Sequence, residues 1–266
     1  MNQTENTIYK GGDLIKECSY SLDQNINHRE YMEDYCKIFL NYMDDKQKVL
    51  FTLHDGHNGD IVAKQATEKF PVIFKECLMN NLFEIEESFN EAYAVLDETF
   101  ANNLDVGSTS LAVLITIEED QRVLYSANVG DSRSVLIREK EALRLSKDHK
   151  ATDKEEYDRV IKLGGIIFNH RLGGNLAITR SLGDYNYKTK ESGLISEPFI
   201  KKVVLENTDK YLIMGSDGIW DVINEEVAFQ LSKEVTSANA LAQLFIQKAI
   251  SMGSRDNLSC IAIKLN

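Results

Sequence analysis

The chain has 266 residues, 43% of them hydrophobic, and a formal net charge of -12. That length can bury most of the apolar surface of one large domain, and the acidic balance excludes a protein whose affinity comes from neutralising nucleic-acid phosphates. Nothing in it reaches the roughly 18 consecutive apolar residues of a membrane span. Cys18, Cys36, Cys77 and Cys260 lie far apart with no C-x-x-C spacing, which suggests neither a zinc site nor a disulfide framework and fits a reducing, cytoplasmic setting. The only prolines are Pro71 and Pro198, and no Gly-, Ser- or Pro-rich linker interrupts the chain, so one domain over residues 1–266 is expected. The opening MNQTENTIYKGG is polar and lacks the apolar segment of a secretory signal.

In chain order, the first strand expected is VLFTL at 49–53, which runs into HDGHNGD at 54–60. Two helix-like stretches follow; in the second, Ile85, Phe89, Tyr93, Leu96 and Phe100 fall at spacings of three or four and mark one apolar face. Segments 110–117, 123–129, 134–138 and 211–214 are rich in Val, Ile, Leu and Tyr and are closed by Gly, Asp or Asn, as strands are. A second helix pair is expected at 225–233, capped by Asn224, and at 238–251, capped by Ser237, before a last strand at 258–264. Strands thus come in hairpin-linked runs broken by helix pairs. Without strict βαβ alternation, mainly antiparallel sheets covered by helices are favoured over a doubly wound parallel sheet.

Aspartates recur at strand ends and tight turns: Asp55 in LFTLHDG, Asp131 in SANVGDSR, Asp217 and Asp221 in SDGIWD, and Asp256 in SRDNLSCIAI. Glu33 and Asp34 in REYMED precede a further apolar run, 36–40. Each is compatible with ordinary turn chemistry or a solvated face. Brought together at one edge of the sheets, however, these carboxylates would repel one another unless cations compensated. Oxygen ligands without His or Cys partners select Mg²⁺ or Mn²⁺ over Zn²⁺.

Taken in order, the segments REYMED, DGHNG, GSTSLAVLI, ANVGDSRSVL, KDHKATDKEEYDRV, LAITRSLGD, SDGIWDV and GSRDNLSCIAI resemble the metal-dependent serine/threonine phosphatases of the protein phosphatase 2C family. The resemblance spans nearly the whole chain. It implies an α+β fold, a four-layer α/β/β/α sandwich of two mainly antiparallel sheets flanked by helix pairs. It implies two Mg²⁺ or Mn²⁺ ions bridged by Asp55. The Gly56 carbonyl and Glu33 would serve one ion, Asp217 and Asp256 the other, and Asp131 a third, weaker site. Arg29 corresponds to the phosphate-holding arginine and His57 to a proposed general acid.

The chemistry suits these residue types. Two divalent ions roughly 3.5–4 Å apart lower the pKa of a water and stabilise in-line displacement at phosphorus. A guanidinium clamps phosphate with parallel donors, and an imidazolium protonates a poor alkoxide leaving group. The expected function is hydrolysis of phosphoserine and phosphothreonine in proteins by a monomeric cytoplasmic enzyme, with a nuclear setting also compatible. The alternatives are a pseudophosphatase acting as a binding module, and a small-molecule phosphatase on the same fold. The C-x5-R signature of cysteine-based phosphatases and the Gly-Lys of a P-loop are both missing. Two departures from the family pattern fall in or near the flap beside the site: Ala151 stands where proline is usual after Asp-His-Lys, and RLGGN replaces the usual Asn-Gly turn. His54, His149 and Trp220 are read as packed structural residues.

Overall fold

The computed structural model describes residues 5–10, 12, 14–189 and 191–266. Strands β1 (Glu5–Lys10), β2 (Glu17–Asp23), β3 (Asp34–Phe39) and β4 (Lys48–His57) lead into helices α1 (Ile61–Asn80) and α2 (Ile85–Glu98). Then follow β5 (Gly107–Ser108), β6 (Ser110–Glu118), β7 (Gln121–Val129), β8 (Arg133–Arg138), β9 (Ala142–Arg144), α3 (Lys154–Lys162), β10 (Ile167–Phe168), β11 (Arg171–Leu172) and β12 (Leu182–Gly183). The remaining elements are β13 (Phe199–Val204), β14 (Asp209–Gly215), α4 (Asp217–Trp220), α5 (Glu225–Leu231), α6 (Ala238–Ser251) and β15 (Leu258–Lys264).

One sheet has the order β1-β2-β15-β14-β8-β9 and the other β12-β5-β4-β6-β7-β13, with β3 also pairing with β4. The pairings within both are antiparallel. Strand periodicity sorts the side chains into layers. Val49, Phe51 and Leu53 of β4 and Leu111, Val113 and Ile115 of β6 meet Leu212, Met214, Ile261 and Ile263 of the other sheet, forming the core between sheets. The alternate residues Leu50, Ala112 and Leu114 face outward and are covered by Phe70, Phe74, Phe89 and Tyr93 of α1 and α2, with the Phe74 and Phe89 rings stacked 4.2 Å apart. On the opposite outer face Val135, Ile213, Cys260 and Ala262 are covered by Trp220, Leu241, Phe245 and Ile246. The result is the expected α/β/β/α sandwich. Because the central strands bury both faces, they read as continuous apolar runs.

Some boundaries differ from expectation. The helix expected at 225–233 ends at Leu231, where a turn begins, and Phe100 lies beyond the end of α2 though still within its core cluster. Both expected N-caps are present: Asn224 Oδ1 accepts from Val227 N at 2.9 Å and Ser237 Oγ from Ala240 N at 3.1 Å. The strand expected at 49–53 runs on to His57, because β3 and β5 supply ladder partners for its polar end.

Candidate active site

Val49, Phe51 and Leu53 face the space between the sheets, so Asp55, next in the same alternation, faces that space where the sheets end. Its ladder partner is Asp34 on β3, and Asp34 Oδ2 accepts from the Ser259 hydroxyl at 2.7 Å. From the facing sheet, β14 ends in a turn that puts Asp217 at the start of α4. A Cβ on Gly218 would lie 2.0 Å from the Asn257 carbonyl oxygen, so glycine there lets the Asp217 turn press on the segment carrying Asp256.

The loop carrying Arg29 and Glu33 is fastened by two asparagines. Asn257 Nδ2 donates to Gln24 O at 2.9 Å and Tyr31 O at 3.0 Å, while its Oδ1 accepts from Glu33 N at 2.8 Å. Asn25 Nδ2 donates to Ser254 O at 2.9 Å and Asp256 O at 3.1 Å. Glu33 in turn accepts from Gly59 N at 2.6 Å through Oε1, and its carbonyl accepts from Gly56 N at 3.1 Å.

These elements enclose a cleft of about 450 Å³ lined by Arg29, Glu33, Asp55, Gly56, His57, Asp131, Asp217 and Asp256, all the site residues expected from sequence. Arg171 and residues 175–178 also line it. Burial, then the charges of Asp34 and Asp217, push the Asp55 carboxyl well above the usual range. Asp217 is pushed up by burial and by Asp131 and Asp256, and Asp34 rises to about 6, chiefly through burial. Asp131 is also raised by burial, against the pull of Lys150 3.5 Å away.

Such a set of oxygen donors suits a hard divalent cation, which would relieve the repulsion that raises these pKa values. Among the described residues no three acidic or imidazole groups close into a ready-made cage. The donors instead line an open cleft, as suits Mg²⁺, which keeps several of its waters. Asp256 has other partners: Oδ2 pairs with Arg29 and Oδ1 accepts from Asn257 N at 2.7 Å. Because an ionised carboxylate has about four acceptor positions, both contacts leave it capacity to bind a cation.

Sequence reasoning passed over Asp184, Asn257 and Thr109. Asp184 lies against the His57 ring, 2.8 Å from Oδ2 to Nε2. Thr109 Oγ1 accepts from Asp55 N at 3.2 Å, and Thr109 N donates to Asp55 O at 2.8 Å. The three packed residues are as expected. His54 is wholly buried on the face of β4 away from Asp55, and burial pulls its pKa down to about 3. His149 is wholly buried, with Gly130 N donating to its Nδ1 at 3.2 Å. Trp220 stands edge-on to Phe245 and donates to Arg133 O and Gly215 O, each at 3.1 Å.

The flap departures have local consequences. Ala151 N donates to Ala177 O at 2.8 Å, tying Lys150 and Ala151 to the cleft wall. A proline at 151 has no N–H to make that bond. In RLGGN, Gly173 and Gly174 take positive φ of 58° and 77°, closing a turn in which Leu172 and Leu176 exchange backbone hydrogen bonds of 2.7 Å and 3.1 Å.

Fold and cleft together define a class: a helix-covered double sheet whose strand ends gather carboxylates around one opening. A model of the protein phosphatase 2C family matches residues 18–258. The chain is 32% identical to protein phosphatase 2C homolog 1 of Saccharomyces cerevisiae, over 95% of each chain. It is 30% identical to protein phosphatase 2C homolog 1 of Schizosaccharomyces pombe, over 91% of this chain and 71% of that one. A crystal structure of serine-threonine phosphatase 2C from Toxoplasma gondii superposes over all of both chains with a TM-score of 0.80 at 17% identity, a likeness of fold alone. The chain belongs to the protein phosphatase 2C family, the one its ordered motifs resemble.

Proposed function

We propose that this protein hydrolyses phosphoserine and phosphothreonine in protein substrates, as a cytoplasmic monomer that requires two Mg²⁺ or Mn²⁺ ions. The observation that carries the reading is the convergence of Glu33, Asp55, Asp131, Asp217, Asp256 and Arg29 on one cleft. Asp55 would bridge the ions, Glu33 and the Gly56 carbonyl would hold one, Asp217 and Asp256 the other, and Asp131 a third. When bound, the pair supplies a water of lowered pKa and positive charge beside the phosphorus.

The chain's own groups do the rest. The Arg29 side chain is 43% exposed, so it can turn from Asp256 to a substrate phosphate and grip two oxygens at once. His57 lines the same cleft and would protonate the departing seryl or threonyl oxygen. A pure binding module has no use for buried carboxylates that repel one another, which argues against a pseudophosphatase.

The test is phosphate release from phosphothreonine and phosphoserine peptides after chelation and restoration of Mn²⁺, Mg²⁺ or Ca²⁺. Release should vanish with chelator and return with the first two. It should return poorly with Ca²⁺, which prefers higher coordination numbers and acidifies water less. Turnover confined to small phosphate esters would replace the protein-phosphatase reading with the small-molecule one. No turnover under any condition would support the pseudophosphatase.

A further inference from the structure

His57 closes β4 opposite Gly107 of β5, and Gly107 is in turn paired with Gly183 of β12. The next residue, Asp184, sends its carboxylate back across Gly107 to the imidazole. His57 Nε2 lies 2.9 Å from Oδ1 and 2.8 Å from Oδ2. The fit depends on glycine: a Cβ on Gly107 would stand 2.1 Å from Asp184 Oδ2. Asp184 is 0% exposed, and the Ser181 hydroxyl donates to Oδ2 at 2.7 Å. A buried carboxylate with a single hydroxyl donor needs another donor, and the imidazole N–H provides it.

The backbone has been forced to make this contact. Asp184 has φ 53°, in the left-handed region that non-glycine residues seldom enter. Surrounding bonds hold it there: Asp184 N donates to Val106 O at 3.0 Å and Gly183 N to Asp97 Oδ1 at 2.9 Å.

We propose that Asp184 is the positioning residue for His57, holding the ring through Nε2 so that Nδ1 is the nitrogen presented to the cleft. The inference rests on the general-acid reading of His57. In the step it serves, a water oxygen bonds to phosphorus as the bond to the seryl or threonyl oxygen breaks. That oxygen keeps the bonding pair and takes the Nδ1 proton, leaving a neutral ring whose Nε2–H still points at Asp184. Solvent restores the proton.

Asp184→Asn and Asp184→Gly both tolerate the left-handed backbone and remove the charge. They are compared with wild type and His57→Gln on a phosphothreonine peptide and on an aryl phosphate whose electron-poor phenol leaves without a proton. His57→Gln should cost about 10²–10⁴-fold on the peptide and far less on the aryl ester. The Asp184 variants should show the same selectivity, with a loss on the peptide that falls within the His57→Gln range of about 10²–10⁴-fold, and unchanged Mn²⁺ half-saturation. In wild-type protein with Mg²⁺, imidazole ¹⁵N shifts recorded at a pH high enough to deprotonate the ring should place the one remaining His57 proton on Nε2.

Selective loss in His57→Gln without any in the Asp184 variants would overturn the inference and leave the His57 reading standing. So would equal Asp184 losses on both substrates, or a proton on Nδ1 in the neutral ring. Equal losses on both substrates in His57→Gln itself, or none on either, would remove both.

Discussion

Glu156, on the face of α3 turned inward, anchors the flap beside the cleft and invites a test by Glu156→Gln. The residue is 1% exposed and is surrounded by guanidinium and hydroxyl donors. Oε2 accepts from Arg159 Nη2 at 2.7 Å, Arg180 Nε at 3.1 Å and Thr179 Oγ1 at 2.7 Å. Oε1 accepts from Arg180 Nη2 at 2.7 Å and Nε at 3.2 Å. Breaking a buried pair from one side costs about 3–5 kcal/mol; the two guanidiniums keep 22% and 14% exposure, which points to the low end. For a chain of this length about 3 kcal/mol corresponds to a fall of about 5 °C in melting temperature.

The pH dependence has a definite sign. Burial pushes the Glu156 carboxyl up, but hydrogen bonds from Arg180, Arg159 and Thr179 outweigh it and hold the group well below its usual value of 4.5. Its stabilisation is therefore fully present above about pH 4.5 and fades as the pH falls toward the folded value. Differential scanning calorimetry should find the gap between wild type and variant constant from about pH 6 to 8 and narrower below about 4. Equal melting temperatures at neutral pH, or a gap that widens in acid, would refute the reasoning.

Asp55→Asn should lower turnover by several orders of magnitude while leaving the metal-free melting temperature unchanged or raised, since one repelling charge is gone; a variant unfolded at room temperature would mean a structural role. The raised pKa of Asp34, about 6, makes its contribution to the metal-free fold fully present below about pH 4 and lost as the pH rises through 6. Because Asp55 and Asp217 are raised as well, the melting-temperature gain on adding Mn²⁺ should be larger at pH 8 than at pH 5.5, and a larger gain in acid would contradict this. Arg29→Lys should raise KM for phosphopeptide about tenfold, because lysine lacks the parallel donors, with little change in melting temperature, since the pair with Asp256 is partly open to solvent; an unchanged KM would place phosphate recognition elsewhere.

The central strands and outer helices are legible in the sequence because burial on both faces leaves long apolar runs and the helices carry apolar stripes and caps. The strand β2 is harder to read. Its serines Ser19 and Ser21 are fully buried, so polar residues stand where an apolar layer would be sought; the Ser19 hydroxyl donates to Asn239 Oδ1 of α6 at 3.3 Å. The edge strand β13 carries Lys201 and Lys202, which mute its apolar signal. The carboxylates of the cleft can be picked out because they stand at strand ends in motifs resembling a family's. Asp184 reads locally as half of a Gly-Asp turn, and only the sheet pairings that place it across Gly107 from His57 reveal its contact. Asn257 is likewise a turn residue by sequence, although its side chain fastens the loop bearing Glu33 and Arg29.

The claim that divalent ions held by these carboxylates drive phosphate release is tested most directly by measuring Mn²⁺ occupancy and phosphopeptide turnover on the same samples. Electron paramagnetic resonance would report free and bound Mn²⁺ across a titration of the chelated protein, for wild type, Asp55→Asn and Asp217→Asn. Turnover should rise with bound Mn²⁺ in wild type, and both should fall together in the two variants. Full turnover in samples holding no bound divalent ion, or undiminished turnover in both variants, would contradict the account.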